Sequence, residues 1–194
     1  FVVYKMKNIW CIRHGTSLHN LLFKKIGTKA YTLPLYRDTS LVEQGHKESI
    51  YLGEHWDEKN KIEVVFVSPL TRTLQTAHNI FQNTKMIASD NILEYPQSWE
   101  YCNKRRDRTE LQHEFPNVIY DIPEKSTYWM ESPETETFFQ LKERSNDFKE
   151  MLRKRPEKNI CVVSHSTFLK EFLLNDVGNV CEELDHCKPF LLKL

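Results

Sequence analysis

The sequence predicts an α/β protein, three-layered as α/β/α around a largely parallel central sheet, with a small inserted lobe. Three observations carry this expectation. Short runs rich in β-branched residues recur at 8–12, 63–67 and 159–163, each with the length of a buried strand. Each run passes through a few polar residues into a stretch of helical periodicity. Strands that alternate with helices pair in parallel through crossover connections, which puts helices on both faces of the sheet.

The elements follow in order. The run at 8–12 opens the sheet, and a helix is expected to begin near Ser17. Residues 42–56 carry a second, less regular helical pattern. After 63–67, Ser68-Pro69 reads as an N-cap with Pro in the first helical position, and Leu70, Leu74, Ala77 and Phe81 share one face. A weaker strand covers 85–88. Residues 95–131, rich in Pro, Tyr, Trp and charge, hold no long period. They are expected to form a lobe inserted within one domain spanning 1–194, with Trp99, Tyr101, Tyr128 and Trp129 as a small core of its own. Ser132-Pro133 is expected to open the longest helix, with Phe138, Leu141, Phe148 and Leu152 inward and a stop before Pro156. The strand at 159–163 leads into a helix with Phe168, Leu169, Phe172 and Leu173 inward, and 190–194 supplies an edge strand.

Composition narrows the function. Lys plus Arg equals Asp plus Glu at 27 each, so no global field draws the chain to nucleic acid or a bilayer. Neither is expected as a partner. The longest apolar runs, such as 160–163, are far shorter than the roughly 20 residues of a membrane helix, and the apolar start is too short for a signal peptide. Five cysteines without a C-x-x-C pair, Cys11 and Cys161 among apolar neighbours, suggest a reducing, cytoplasmic setting. The set Cys181, Asp185, His186 and Cys187 fits no zinc spacing, and no metal or cofactor is expected.

In open α/β sheets, ligands bind beyond the carboxyl ends of the strands. Those ends carry Arg13-His14-Gly15-Thr16, Ser68-Pro69 leading to Arg72, Glu94, and Ser164-His165-Ser166. One histidine after a strand is more often a cap or a surface residue than a catalyst. Two histidines, two arginines and a carboxylate at corresponding ends are hard to assign to chance. Guanidinium groups match phosphate oxygens bidentately, and a neutral imidazole is a competent nucleophile toward phosphorus. Gly15 and the first turn of the following helix are expected to bring backbone N–H groups to the anion. Arg13, Arg72 and a protonated His165 would face the phosphoryl oxygens, and Glu94, if burial raises its pKa, would protonate the leaving alkoxide.

The Arg13-His14-Gly15 opening followed by Asn20 resembles that of the histidine phosphatase superfamily, in its phosphoglycerate mutase-like branch. Asp38-Thr39-Ser40-Leu41 with Gly45 is similar to that family's next segment. The run 68–72 with Gln75-Thr76-Ala77, the pair Leu93-Glu94, and Ser164-His165-Ser166 resemble the segments that follow, in the same order. The resemblance implies a phosphohistidine on His14, a pocket of Arg13, Arg72 and His165, and Glu94 as proton donor. It also implies supporting contacts from Asn20 and Ser166, a pocket-lining His19, and no metal. Mutases of this kind carry further carboxylate-binding segments, where this chain has Tyr95-Pro96-Gln97 and Ser166-Thr167. A phosphatase acting on a small phosphorylated substrate is therefore expected, with a mutase or an inactive binding module as alternatives.

Within the lobe, Lys104, Arg105, Arg106 and Arg108 are read either as a solvated surface or as a subsite for a second anionic group. Lys24, Lys25 and Lys29 pose the same question. Glu100 and Asp107 stand as substitute acids for Glu94.

Overall fold

Six strands join in one sheet: β1 (Asn8–Arg13), β2 (Val64–Val67), β3 (Met86–Ser89), β4 (Val118–Asp121), β5 (Asn159–Ser164) and β6 (Pro189–Lys193). Their order is β4-β3-β2-β5-β1-β6. The first five are parallel, and β6 runs antiparallel to β1 at the edge. Among the described residues seven α-helices accompany them: α1 (Leu18–Ile26), α2 (Lys29–Thr32), α3 (Glu43–His55), α4 (Thr71–Ile80), α5 (Arg108–Glu114), α6 (Phe138–Lys154) and α7 (Ser166–Leu174). The computed structural model describes residues 6–98, 100–125, 135–175 and 182–194.

The three layers follow from side-chain alternation along the strands. Ile9 and Cys11, Val64 and Phe66, and Ile160 and Val162 face one side, where α6 and α7 supply Leu141, Phe148, Leu152, Phe168 and Phe172. Ile12, Val65, Val67, Cys161 and Val163 face the other, against Leu74, Ala77 and Ile80 of α4 and Leu111 of α5. Because both faces of β2 and β5 are covered, these strands read as unbroken apolar runs. The expected α/β/α architecture is the one observed.

Four local expectations differ from the structure. Ser68 does not cap a helix, since α4 begins at Thr71 after Leu70; the Ser68 hydroxyl is bonded to His165 instead. Phe138 is 58 % exposed because it stands in the first turn of α6, beyond the sheet that buries Leu141, Phe148 and Leu152. The cap of α6 is Thr137, whose hydroxyl accepts from the Gln140 N–H at 3.3 Å; Ser132 and Pro133 lie outside the described residues. Finally, residues 118–121 form β4, a strand at the sheet edge parallel to β3. It escaped notice because Ile119 is 51 % exposed and four half-covered residues make a weak period. Cys181, Trp99, Tyr128 and Trp129 also lie outside the described residues. Among the described residues no helix is long and apolar enough to cross a membrane.

Candidate active site

Strand register builds the floor of the site. Arg13 pairs with Ser164 and Val67 with Val163, so His14, His165 and Ser68 leave three adjacent strands side by side. The His14 and His165 ring centroids are 5.1 Å apart. Beside them lies a cavity of 320 Å³ whose lining includes Arg13, His14, His19, Asn20, Arg72, Glu94, Glu100 and Ser166. The structure thus brings together the residues singled out from the strand ends, although Asp107 is not among them. Asp107 instead stands at the N-terminus of α5, beside Arg37.

The loop after β1 is fixed by α3 and α4. A Cβ on Gly15 would stand 2.5 Å from the Gly45 carbonyl oxygen, and one on Gly45 only 2.1 Å from that of Thr16. Glycine at both positions therefore serves the contact of loop and helix. The Gly15 N–H donates to Thr76 Oγ1 at 3.0 Å, and the Thr16 N–H to Glu48 Oε2 at 2.8 Å. At the start of α1, the Ser17 N–H donates to Asn20 Oδ1 and the Leu18 N–H to the Ser40 carbonyl. The expected cradle of backbone N–H groups is therefore engaged within the protein. Asp38 braces the opposite wall, accepting from the Thr71 N–H and hydroxyl at 2.7 and 2.8 Å.

His14 is 2 % exposed. Its Nδ1 lies 2.7 Å from the Gly15 carbonyl oxygen, a partner that can only accept. The proton is therefore assigned to Nδ1 and the lone pair to Nε2. Nε2 in turn accepts from Arg72 Nε at 3.3 Å. Burial, then the charges of Arg72 and its neighbours, hold His14 well below the ordinary imidazole pKa, so it is neutral near pH 7.

Arg72 is 1 % exposed. Its other two nitrogens donate to the Cys102 carbonyl at 2.7 Å and to Asn103 Oδ1 at 2.9 Å, which aims Nε at His14. Arg13 gives one nitrogen to the Leu184 carbonyl and another to Glu183, both at 2.6 Å. Among the described residues its Nε is buried without a partner. His165 binds Ser68 Oγ through Nε2 at 2.8 Å, and its Nδ1 is likewise buried and unpartnered. Two orphaned polar atoms in the site of His14 are what a buried anion would satisfy. Burial, then Arg72, hold the His165 pKa well below the ordinary value, against the expectation of a protonated His165.

Glu94 sits at the N-terminus of α7. Its Oε1 accepts from the Tyr95 and Phe168 N–H groups at 2.8 and 3.1 Å, its Oε2 from that of Thr167 at 3.3 Å. Burial raises its pKa, while these donors and Arg72 pull the other way. Glu100 lines the same cavity. Burial and the Glu94 charge push its pKa up to about 7, against the pull of Arg72.

His19 is buried in the wall of the cavity, with Nδ1 2.7 Å from Thr39 Oγ1 and Nε2 3.3 Å from Asn20 Nδ2. Ser166 Oγ accepts from the Leu184 N–H at 3.0 Å. The second-anion subsite does not form around Arg105. That side chain is 1 % exposed, donates to both oxygens of Asp90 at 2.8 and 3.1 Å, and reaches the carbonyls of Pro123 and Glu124. Arg106 turns to Asp38 and Glu114. His186, weighed in the sequence only as a member of a zinc set, donates through Nδ1–H to the His14 carbonyl at 2.6 Å. Only its place just before the last strand could have suggested it.

A buried imidazole that shares a cavity with two guanidinium groups, at the carboxyl end of a parallel sheet, makes a site suited to phosphoryl groups. Residues 9–187 match the histidine phosphatase superfamily, branch 1, and the chain belongs to that family. It is 27 % identical to a phosphoglycerate mutase-like protein of Arabidopsis thaliana over 95 % of this chain and 80 % of that protein. The α-ribazole phosphatase of Shigella flexneri superposes with a TM-score of 0.64 at 18 % identity, over 95 % of this chain and 89 % of that one. The ecdysone phosphate phosphatase of Bombix mori, solved with tungstate, gives 0.64 at 13 % identity over 95 % and 88 %.

Proposed function

We propose that the protein is a phosphatase that hydrolyses a phosphomonoester through a phosphohistidine on His14. The observation that carries this reading is the lone pair of His14 Nε2 set beside Arg72, with Arg13 Nε and His165 Nδ1 buried and unpartnered in the same site. In the first step Nε2 attacks phosphorus and the P–O bond to the alcohol breaks. The leaving oxygen takes the proton of Glu94, whose raised pKa keeps it available. In the second step Glu94 takes a proton from water, the oxygen attacks phosphorus, and the N–P bond breaks to release inorganic phosphate. Arg13 and Arg72 offset the charge on the non-bridging oxygens throughout. That task needs no divalent ion, so turnover is expected to persist through exhaustive chelation with EDTA.

A panel of phosphomonoesters, assayed for phosphate release with wild type and His14→Ala, tests the reading. Turnover by the wild type and none by the variant supports it; equal rates would end it. Transfer to a second alcohol in place of water is the competing reading, favoured by the likeness to a phosphoglycerate mutase-like protein. Labelled phosphoglycerate distinguishes the two, since a mutase moves the label within the pool and a phosphatase releases it.

A further inference from the structure

The lining of the cavity changes character with depth. At the floor stand Arg13, His14 and Arg72, each at most 4 % exposed. Toward the mouth stand Tyr31, Tyr95, Phe138, Glu94, Glu100 and Glu183. We propose that the pocket selects a phosphomonoester whose alcohol half is aromatic and carries no second acidic group, with Tyr95 and Phe138 as its platform and Glu100 as the residue that repels a further anion. This rests on the reading of the floor as a phosphoryl site.

The platform is specific in geometry. Phe138, 58 % exposed, stacks on Tyr95 with ring centroids 4.9 Å apart and planes 19° from parallel. An exposed phenyl ring stacked at a pocket wall offers a flat apolar face to a planar ligand. Tyr31 lines the same cavity.

Charge argues in the same direction. Among the described residues, Arg13 and Arg72 are the only Lys or Arg side chains lining the cavity, and both lie at the floor. Arg105 and Arg106 are committed to Asp90, Asp38 and Glu114. Residues 126–134 and 176–181 contain no Lys, Arg or His, so neither segment can add a basic subsite. Lys24 lines the adjoining groove, where Glu48, Glu183 and Asp185 also stand. Above about pH 7, where Glu100 is ionised, a second phosphate or carboxylate on the substrate would therefore meet the Glu100 carboxylate with no Lys or Arg among the described residues at the mouth to offset it. Glu100 is held in place: its Oε2 accepts from Asn103 Nδ2 at 2.9 Å, and Asn103 Oδ1 accepts from Arg72. A glutamine there could keep the bond to Asn103 and lose only the charge.

Binding of phosphonates, whose C–P bond no phosphatase step cleaves, tests the inference apart from turnover. Calorimetry at about pH 8, above the Glu100 pKa of about 7, would compare benzylphosphonate with 3-phosphonopropionate on the wild type, Glu100→Gln and Phe138→Ala. The wild type should prefer the benzyl compound by about 10-fold or more, since like charges across a site are strongly disfavoured. Glu100→Gln should narrow that ratio several-fold by tightening phosphonopropionate. Phe138→Ala should weaken the benzyl compound about 3- to 10-fold and leave the other unchanged. Equal or tighter binding of phosphonopropionate by the wild type, or a ratio indifferent to Glu100→Gln, overturns the inference. Selective benzylphosphonate binding without turnover of any monoester would sink the phosphatase reading and leave this one standing. Failure of both phosphonates to bind would overturn the two together.

Discussion

The floor and the wall of the candidate site are held in place by different means. On the floor, His14, His165 and Ser68 take their positions from the register of β1, β5 and β2, strands whose both faces are sealed by core side chains. In the wall, Glu94, Glu100, Cys102, Asn103 and Arg105 come from a stretch with little regular structure. Side-chain bonds to carbonyls and buried ion pairs hold it. A floor fixed by a cooperative sheet can carry invariant chemistry, whereas a wall tied by individual side chains can be rebuilt without disturbing it. Arg72 joins the two. It rises from α4 on the floor side and is aimed by Cys102 and Asn103 of the wall.

The largest effect should come from cutting that joint. Arg72→Ala removes the donor beside the nucleophile and should lower kcat/KM on p-nitrophenyl phosphate by about 10²- to 10³-fold. Asn103→Ala, which leaves the Cys102 carbonyl to hold the guanidinium, should cost far less. Equal losses would mean that the wall acts on the chemistry directly.

Next in size is a test of the wall alone. Arg105→Met leaves Asp90 buried without its partner and should destabilise the fold by about 3–5 kcal/mol in urea unfolding. Adding Asp90→Leu should recover most of that loss. A raised KM with unchanged stability would instead restore Arg105 to substrate recognition.

Glu94→Gln should slow an alkyl monoester by about 10²-fold and p-nitrophenyl phosphate by much less, because nitrophenolate leaves without a proton. On the alkyl ester, the alkaline limb of the wild-type kcat/KM profile should reflect loss of that proton. With Glu94 raised by burial, the limb lies above the ordinary carboxylate range and should vanish in the variant. If the limb survives, Glu100 is the acid.

The smallest expected effect concerns the C-terminal clasp. His186→Ala deletes the donor to the His14 carbonyl and should lower kcat by less than about 10-fold with KM nearly constant, the pattern of a mispositioned nucleophile. A shift in KM alone would place His186 in substrate binding.

How much of this was legible in the sequence follows the same division. The floor was readable because a strand announces itself by composition, and sheet topology then dictates that ends such as His14 and His165 meet. The wall was not. The charged run 103–108 looks uniform, yet Arg105 is buried on Asp90, a partner 15 residues earlier, while Arg106 pairs with Asp38. No local period encodes a long-range ion pair. Ser68 misled for a related reason: Ser-Pro is a sound helix-start signal, but the hydroxyl was recruited by His165, and the helix began three residues later. Gly15 reads in the sequence as a residue that admits an anion, and only the fold shows that Gly45 presses against it.

The central claim is that His14 Nε2 forms the bond to phosphorus. Rapid quenching at alkaline pH after mixing with ³²P-labelled monoester, followed by peptide mapping, tests it most directly. The account predicts a label on the peptide containing His14, stable in base and lost in acid, and absent from His14→Ala. A label on a serine or threonine, or a His14→Ala variant that still labels and turns over, would contradict it.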